Sequence, residues 1–477
     1  MITAEKVRAF LSNRFARWNL KKLAKRDGET GRTLIDRVFA AYAGQEKVKI
    51  KYLPYFVFIS LLPGILKTDR DKLVKDVYSV RQYRRAVANI VESVTEFGLS
   101  TPQLFSAPLL AVWNFTNTCN LNCRHCYQNA RHALPDELSL EERMKVIDEL
   151  DRNDVSLLAF SGGEPLISKD FWPVARYAHE KGMHISVATN GTLITREVAA
   201  RLKDTGVNYV EISVDSVHPE KHDEFRGGPG HWARAVEGIK NCVEAGGLEV
   251  GMATTVTRNN FEEMDELIQM AKDLKVTSFY VFNFIPTGRG KGMVEEDLTP
   301  LMREEMLQKL YDTLLEKEIF AFTTCPQYGR FCYQKGPDDI IVNAHYNFLE
   351  LKGAEAKMLA DYIGGCGAGR VYCAIQPNGK VTPCVFMPQE VVGDLRRESL
   401  KSIWHNSEVM KRMRDRSALS EHCGKCEFRA MCGGCRARAF GYFEDFMGPD
   451  PGCVNNIRAW EKLEAEHKNA GQKTEAG

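Results

Sequence analysis

Between residues 109 and 285, short apolar and β-branched runs alternate with amphipathic stretches. The runs lie at 109–115, 155–160, 184–189, 209–214, 248–256 and 278–285. Each has the length of a strand, and the stretches between them follow the period of a helix. Two of those helices carry start signals: Ser139-Leu-Glu-Glu142 has capping-box spacing, and Thr195 stands where an N-cap belongs. The alternation predicts an α/β fold of parallel βα units. Six units in succession suit an open, partial (β/α)6 barrel of TIM-like type, whose chemistry gathers in loops at the carboxyl ends of the strands.

The first hundred residues follow another pattern. Over 5–26, Val7, Phe10, Leu11, Phe15 and Trp18 alternate with Lys6, Arg8, Arg14, Arg17, Lys21, Lys22, Lys25 and Arg26. A basic amphipathic helix of this kind suits an anionic membrane surface, and equally suits the solvated face of a helical accessory domain. The stretch 52–66 is apolar, but it is short for a membrane span and carries Pro54 and Pro63. A mainly helical N-terminal extension over 1–105 is expected, with peripheral membrane contact as one of its readings.

Composition narrows the function. Lys and Arg number 64 against 63 Asp and Glu, so no nucleic-acid partner is expected. Fourteen cysteines without a recognisable signal peptide or span point to reducing cytoplasm, where grouped thiols mean metal or catalysis. Eleven of the fourteen fall into ligand-like groups.

The first group, Cys119-x3-Cys123-x2-Cys126-Tyr127, occupies the loop after the first strand run. Thiolates suit a four-iron cluster, and three of them leave one iron open to a small molecule. Short Cys steps also serve zinc, so the triplet alone leaves both metals open. The later loops bring Ser161-Gly162-Gly163-Glu164-Pro165, Thr189-Asn190-Gly191, Ser213-Val-Asp215 and Pro286-Thr-Gly288-Arg289-Gly290. The paired glycines admit a ligand close to the backbone, Glu164 offers an acceptor for an ammonium group, and Ser213 with Asp215 suits a ribose. Turn and capping chemistry accounts for the same residue types.

Between 366 and 453 lies a second thiol field. Cys366, Cys373 and Cys384 surround a hairpin that turns at Asn378-Gly379, and Cys423-x2-Cys426-x5-Cys432-x2-Cys435 and Cys453 follow. Eight thiols suffice for two four-iron clusters, although paired C-x2-C steps also occur in zinc ribbons. Cys242, on a helical run, reads as a core cysteine. Cys325, Tyr328, Arg330 and His345, in the bridge over 311–365, are candidate substrate contacts, with ordinary packing as the alternative.

Taken in loop order, the triplet, the GGEP loop, Ser213-Val-Asp215 and the Pro286 loop resemble the radical S-adenosylmethionine (radical SAM) superfamily. The C-terminal field resembles that superfamily's SPASM extension, from which the Cys432-x2-Cys435 step departs by being one residue shorter. The Pro-Thr-Gly-Arg wording is similar to the branch of alternative haem and haem d1 enzymes. The resemblance covers about 106–455 and implies a core at 106–310 and a SPASM domain at 366–455; the residues beyond, 456–477, read as a polar tail. It implies that Cys119, Cys123 and Cys126 hold the SAM-binding cluster, with Tyr127, Gly162, Gly163, Glu164, Asn190, Ser213, Asp215, Pro286 and Gly288 around SAM. By the same analogy Cys366, Cys373, Cys384 and Cys435 hold one auxiliary cluster, and Cys423, Cys426, Cys432 and Cys453 the other.

The implied cofactors are three [4Fe–4S] clusters and SAM, supplied with electrons by a ferredoxin or flavodoxin. The implied activity is that of an oxidoreductase: SAM is cleaved to a 5′-deoxyadenosyl radical that takes hydrogen from an unactivated carbon, giving net oxidation or a C–C bond. The N-terminal pattern favours an apolar, membrane-lipid-derived substrate. The alternatives are a tetrapyrrole side chain, favoured by the Pro286 loop, a ribosomal peptide, and a non-catalytic iron or zinc scaffold.

Overall fold

The computed structural model describes residues 13–28, 30–66, 70–336, 342–343, 346–347 and 361–475. Its strands are β1 (Leu110–Thr116), β2 (Leu157–Gly162), β3 (His184–Thr189), β4 (Tyr209–Ser213), β5 (Glu249–Val256), β6 (Ser278–Asn283), β7 (Phe320–Thr323), β8 (Val342–Asn343), β9 (Tyr346–Asn347), β10 (Tyr372–Ile375), β11 (Lys380–Thr382) and β12 (Gly393–Asp394). Ten of them form one sheet in the order β12-β11-β10-β1-β2-β3-β4-β5-β6-β7, while β8 and β9 pair apart from it. From β1 to β7 every neighbour is parallel, so each connection crosses outside the sheet, mostly through a helix. The sheet does not close, which makes it the partial barrel expected.

Two features depart from the six-unit reading. A seventh parallel strand, β7, follows the helix Pro300–Glu316. At the opposite edge β10 lies parallel to β1, with Leu110 opposite Tyr372 and Trp113 opposite Ile375. The hairpin expected at Asn378-Gly379 forms between β10 and β11, with Gly379 at φ +81°. The C-terminal thiol field is thereby fused to the barrel sheet.

Strand alternation divides the barrel into two faces. Ala111, Trp113 and Phe115 of β1, Phe160 of β2, Val187 of β3 and Ile212 of β4 point outward beneath the helices and are fully buried. Burying one such large side chain is worth about 1.5–3 kcal/mol, and Phe115, Phe160 and Phe171 add edge-to-face ring contacts. The inward face, which includes Val112, Ser161, Ser186, Glu211 and Tyr280, surrounds a cavity. Helix starts follow local chemistry: Ser139 accepts from Glu142 N while Glu142 accepts from Ser139 N at 2.8 Å, and Thr195 caps Val198 N.

The N-terminal helices Arg14–Leu23, Leu34–Tyr42, Leu53–Leu66 and Arg81–Phe97 enclose a small core that includes Val38, Phe39, Tyr52 and Ala88. Arg85 fastens this unit to the barrel: its guanidinium donates to Val155 O at 3.0 Å and Leu150 O at 3.2 Å, and pairs with Asp151. Of the amphipathic segment, Val7, Phe10 and Leu11 lie outside the described residues. Ile50, Leu53 and Val57 stand exposed, and among the described residues no helix is long and apolar enough to cross a membrane.

Candidate active site

The triplet loop leaves β1 and is shaped by its own backbone. Arg131 N donates to Asn117 O at 2.9 Å, Cys119 N to Arg131 O at 3.3 Å, and Cys126 N to Cys123 O at 3.4 Å. Two amides point at sulfur: Leu121 N lies 3.4 Å from Cys119 Sγ, and Ala130 N lies 3.5 Å from Cys126 Sγ. Burial pushes the Cys119 thiol up to about 12 and raises Cys123 as well, against the nearby Arg226 guanidinium. Buried thiols with amide donors and a neighbouring cation are suited to sulfur held as metal thiolate. Among the described residues no three His, Cys, Asp or Glu side chains close tightly enough to hold a single ion.

Neighbouring loops clamp the triplet. Arg289 donates from Nε to Cys123 O at 2.7 Å and from Nη1 to Ala130 O at 2.9 Å. Its guanidinium is thus spent on loop carbonyls. At Gly288, φ is +57° and a Cβ would fall 2.3 Å from Cys126 O. At Gly163 a Cβ would fall 2.1 Å from Thr118 O, so only glycine lets these strands approach.

The three thiols open onto a cavity of about 400 Å³ inside the barrel. Of the expected SAM contacts, Tyr127, Gly162, Gly163, Asn190 and Ser213 line it. Tyr127 is held by Asn114 at 3.0 Å and Ser161 at 2.9 Å, and Asn190 donates to Asn120 at 2.9 Å.

The other four face elsewhere. Glu164 is fully buried, and its carboxylate accepts from Thr189 Oγ1 at 2.8 Å, Asn190 N at 2.9 Å and Leu166 N at 3.1 Å. It braces the second and third loops in place of offering an open acceptor. Burial outweighs those bonds and brings it up to about 6. Asp215 pairs with Arg226 Nε at 2.5 Å and accepts from Thr255 N at 2.8 Å, so it is spent on the guanidinium that lies 4.0 Å from Cys123 Sγ. Pro286 packs on Gly441, and Gly288 packs on the triplet carbonyls. Phe284 and Ile285 take the lining position expected of that loop.

The second thiol field divides in two. Cys366, Cys384 and Cys435 line the same cavity as the triplet, with Tyr372 among them. Tyr372 donates to Cys384 Sγ at 2.7 Å, and its phenol is raised by burial and then by the charge of these three thiols. The other set is Cys423, Cys426, Cys432 and Cys453: burial raises Cys432, followed by Cys453 and Cys423, and Cys426 feels Cys423. Amides again reach sulfur, with Gly434 N 3.4 Å from Cys432 and Asp450 N 3.4 Å from Cys423.

Cys373 joins neither set. It follows Tyr372 in β10, so it points to the opposite face and packs in the apolar core under the helices, where burial pushes its thiol up to about 12. The expected four-thiol set around the first auxiliary site is thus three.

The bridge candidates are packing residues. Cys325 is fully buried against Gln327, and Tyr328 donates to Ala321 O at 3.2 Å. Arg330 pairs with Glu304 beside the second thiol set, while Thr324 and Pro326 line the cavity instead. His345 lies outside the described residues. Cys242 sits in the core as expected. Sequence reading missed Glu211, Tyr280 and Phe322 of the inner wall, although period-two alternation in their strands marks them as inward.

An open parallel barrel with three thiols at its mouth and a second thiol field on its edge defines an iron–sulfur enzyme of the radical type. A model of the radical SAM superfamily matches residues 113–295, and a model of the iron–sulfur cluster-binding SPASM domain matches 366–427. The chain belongs to the radical SAM superfamily and carries a SPASM domain; its cofactors are SAM and iron–sulfur clusters, auxiliary clusters included. It is 35% identical over 354 residues to an AdoMet-dependent heme synthase of Methanosarcina barkeri, a match that takes in 73% of this chain and 97% of that protein. It is 32% identical to the mycofactocin maturase MftC of Mycolicibacterium smegmatis, over 76% of this chain and 88% of that one. Among solved structures, Streptococcus suis SuiB bound to the precursor peptide SuiA shares the fold, with a TM-score of 0.63 at 16% identity over 89% of this chain and 92% of that one.

Proposed function

We propose that this radical SAM/SPASM enzyme oxidises a carbon–hydrogen position on a side chain of a tetrapyrrole. The observation that carries the reading is the cavity: one aromatic-walled space joins the triplet thiols to Cys366, Cys384 and Cys435. Phe282, Phe284, Phe322, Phe386 and Tyr280 present ring faces and edges suited to a flat macrocycle. The likeness to a heme synthase over nearly the whole of that protein supports the same choice. The lipid substrate expected from the N-terminal pattern gives way to this alternative, because the relatives lie with haem and peptide modification.

In this reading Cys119, Cys123 and Cys126 hold the SAM-binding cluster, and Tyr127, Gly162, Gly163, Asn190 and Ser213 frame SAM. Cys366, Cys384 and Cys435 hold the first auxiliary cluster, and Cys423, Cys426, Cys432 and Cys453 the second. When bound and reduced, SAM and its cluster supply the radical that removes a hydrogen atom from substrate. The chain's own residues position: Arg226 and Arg289 fix the triplet loop, and the aromatic walls exclude water and orient the side chain to be attacked. The auxiliary site opens onto the same space, which suits it to accept an electron from the substrate, and a ferredoxin or flavodoxin supplies the reducing side.

Anaerobic assays with SAM, a strong reductant and iron tetrapyrroles carrying propionate side chains test the proposal. Expected are 5′-deoxyadenosine formation stimulated by a tetrapyrrole and a matching mass change in it. A peptide maturase is the second reading, favoured by the mycofactocin maturase likeness. Stimulation by a precursor peptide and by no tetrapyrrole would transfer the function to that reading.

A further inference from the structure

The floor of the barrel carries an ionisable group that the reading above leaves unused. Glu211 is 8% exposed and lies on β4 between Tyr209 and Ser213, which share its inward face. Among the described residues it has neither a hydrogen-bond nor an ion-pair partner. It sits opposite Ala188 of β3 and Gly251 of β5, two small residues that leave space above it. Gly251 is required there: a Cβ would fall 1.9 Å from the Tyr209 hydroxyl, which crosses over it to meet Ser278 of β6 at 2.9 Å. That bond closes the floor beneath Glu211.

Among the described residues the surroundings supply no counter-charge. His184 at the start of β3, Tyr209 on β4 and Tyr280 on β6 line this part of the cavity, while β2 presents Leu157 and β7 presents Phe322. Glu249, exposed at the start of β5 opposite Tyr209, adds only negative charge there. The two arginines that line the cavity, Arg226 and Arg289, are engaged by Asp215 and by the triplet carbonyls. A buried carboxyl with no cation beside it among the described residues is costly unless a ligand completes its hydrogen bonding.

We propose that Glu211, with Tyr209 and Tyr280 beside it, forms a floor subsite that takes a carboxylate-ended side chain of the substrate, the Glu211 carboxyl donating a hydrogen bond to it. The proposal rests on the tetrapyrrole reading and names which part of the macrocycle enters the barrel. Burial alone pushes Glu211 up to about 8, so at neutral pH it keeps the proton it would donate. A second carboxylate beside it favours that proton further.

The test uses the full chain with its clusters and SAM, and follows binding of iron coproporphyrin III, whose propionates are free, and of its fully methyl-esterified form. Wild-type affinity for the free acid is expected to fall about tenfold per pH unit above about pH 8, as Glu211 loses its proton. Glu211→Gln, which keeps a donor at every pH, is expected to bind with a flat pH profile, and Glu211→Leu to bind at least about tenfold more weakly at neutral pH. The ester is expected to bind wild type and Glu211→Leu alike. Retained cluster absorbance shows that each variant is folded. A flat wild-type profile, with Glu211→Leu binding as well as wild type, overturns this inference alone. Affinity for the free acid that rises with pH overturns it, because the ionised Glu211 carboxylate would then not oppose a second carboxylate. If neither porphyrin binds any form, this inference and the tetrapyrrole reading fall together.

Discussion

Tyr372 and Cys373 are consecutive in β10, and a strand sends consecutive side chains to opposite faces. One therefore stands among the thiols of the first auxiliary site, and the other in the core beneath the helices. Cys373→Ala is expected to leave iron content unchanged, whereas Cys384→Ala removes about four irons per chain. Iron and sulfide analysis of anaerobically prepared protein checks both, and iron loss in the Cys373 variant would return that thiol to the ligand set. Glu211 gives a second residue-scale prediction, this time on stability. Its folded value of about 8 lies above the ordinary carboxyl value, so between the two the unfolded chain has released a proton that the folded chain keeps. Stability then falls as pH rises from about 4.5 to about 8 and levels above, by an amount on the order of 5 kcal/mol. Glu211→Gln removes this slope; apparent Tm values that diverge between variant and wild type across that window bear it out, and parallel curves refute it.

The loops that carry the site are held by close backbone approach more than by side-chain bonds. A methyl group at Gly288 would meet the carbonyls of Cys126 at 2.3 Å and Tyr127 at 2.4 Å, in a conformation with positive φ, and the Cys126 carbonyl already accepts from Asn129 N and Arg289 N. Gly288→Ala is expected to lose the SAM-binding cluster while keeping the auxiliary ones. Gly292→Ala, four residues on with nothing within 4 Å of the added carbon, is the neutral comparison. Electron paramagnetic resonance of the reduced proteins separates the clusters, and equal spectra would refute the clamp. These elements were legible in sequence because their determinants are local: the Cys119 triplet, the two glycines before Glu164, the Ser139 capping box and the Asn378-Gly379 turn each act within a few residues. Direction and partnership were not. Glu164 and Asp215 are the residue types a cofactor site needs, but their partners, Asn190 in the loop after β3 and Arg226 at the end of the helix Pro219–Arg226, turn both carboxylates away from the cavity. The pairing of β10 with β1 joins residues such as Asn114 and Gln376, 262 positions apart, which no local pattern encodes.

At the scale of the molecule, the C-terminal segment touches the barrel on both sides of its opening. Through β10 it extends the sheet at β1, and through the helix Arg436–Phe443 it reaches the loop beyond β6, where Arg438 Nη2 donates to Phe284 O at 3.4 Å and Gly441 packs on Pro286. The second contact is ionic and completely buried. Arg303 pairs with Asp297 at 2.8 Å, Arg438 lies 3.6 Å from Asp297 and 3.3 Å from Asp450, and Asp450 accepts from Gln327 at 2.5 Å and Cys435 N at 2.6 Å. One carboxylate thus links the bridge, the helix and the backbone amide of Cys435. Desolvating such a network yields little net stability over an apolar core, but removing one member strands the rest and costs about 3–5 kcal/mol. Asp450→Ala leaves the Cys435 amide and the Arg438 guanidinium short of an acceptor. It is expected to lower the urea midpoint and release the Cys366–Cys384–Cys435 cluster before the triplet cluster. In the double variant Arg438→Met, Asp450→Leu the stranded charge is gone, so part of the midpoint returns while the auxiliary cluster stays labile. Urea titration followed by cluster absorbance distinguishes these outcomes: an Asp450→Ala protein as stable as wild type would show that β10 pairing alone holds the C-terminal segment to the barrel.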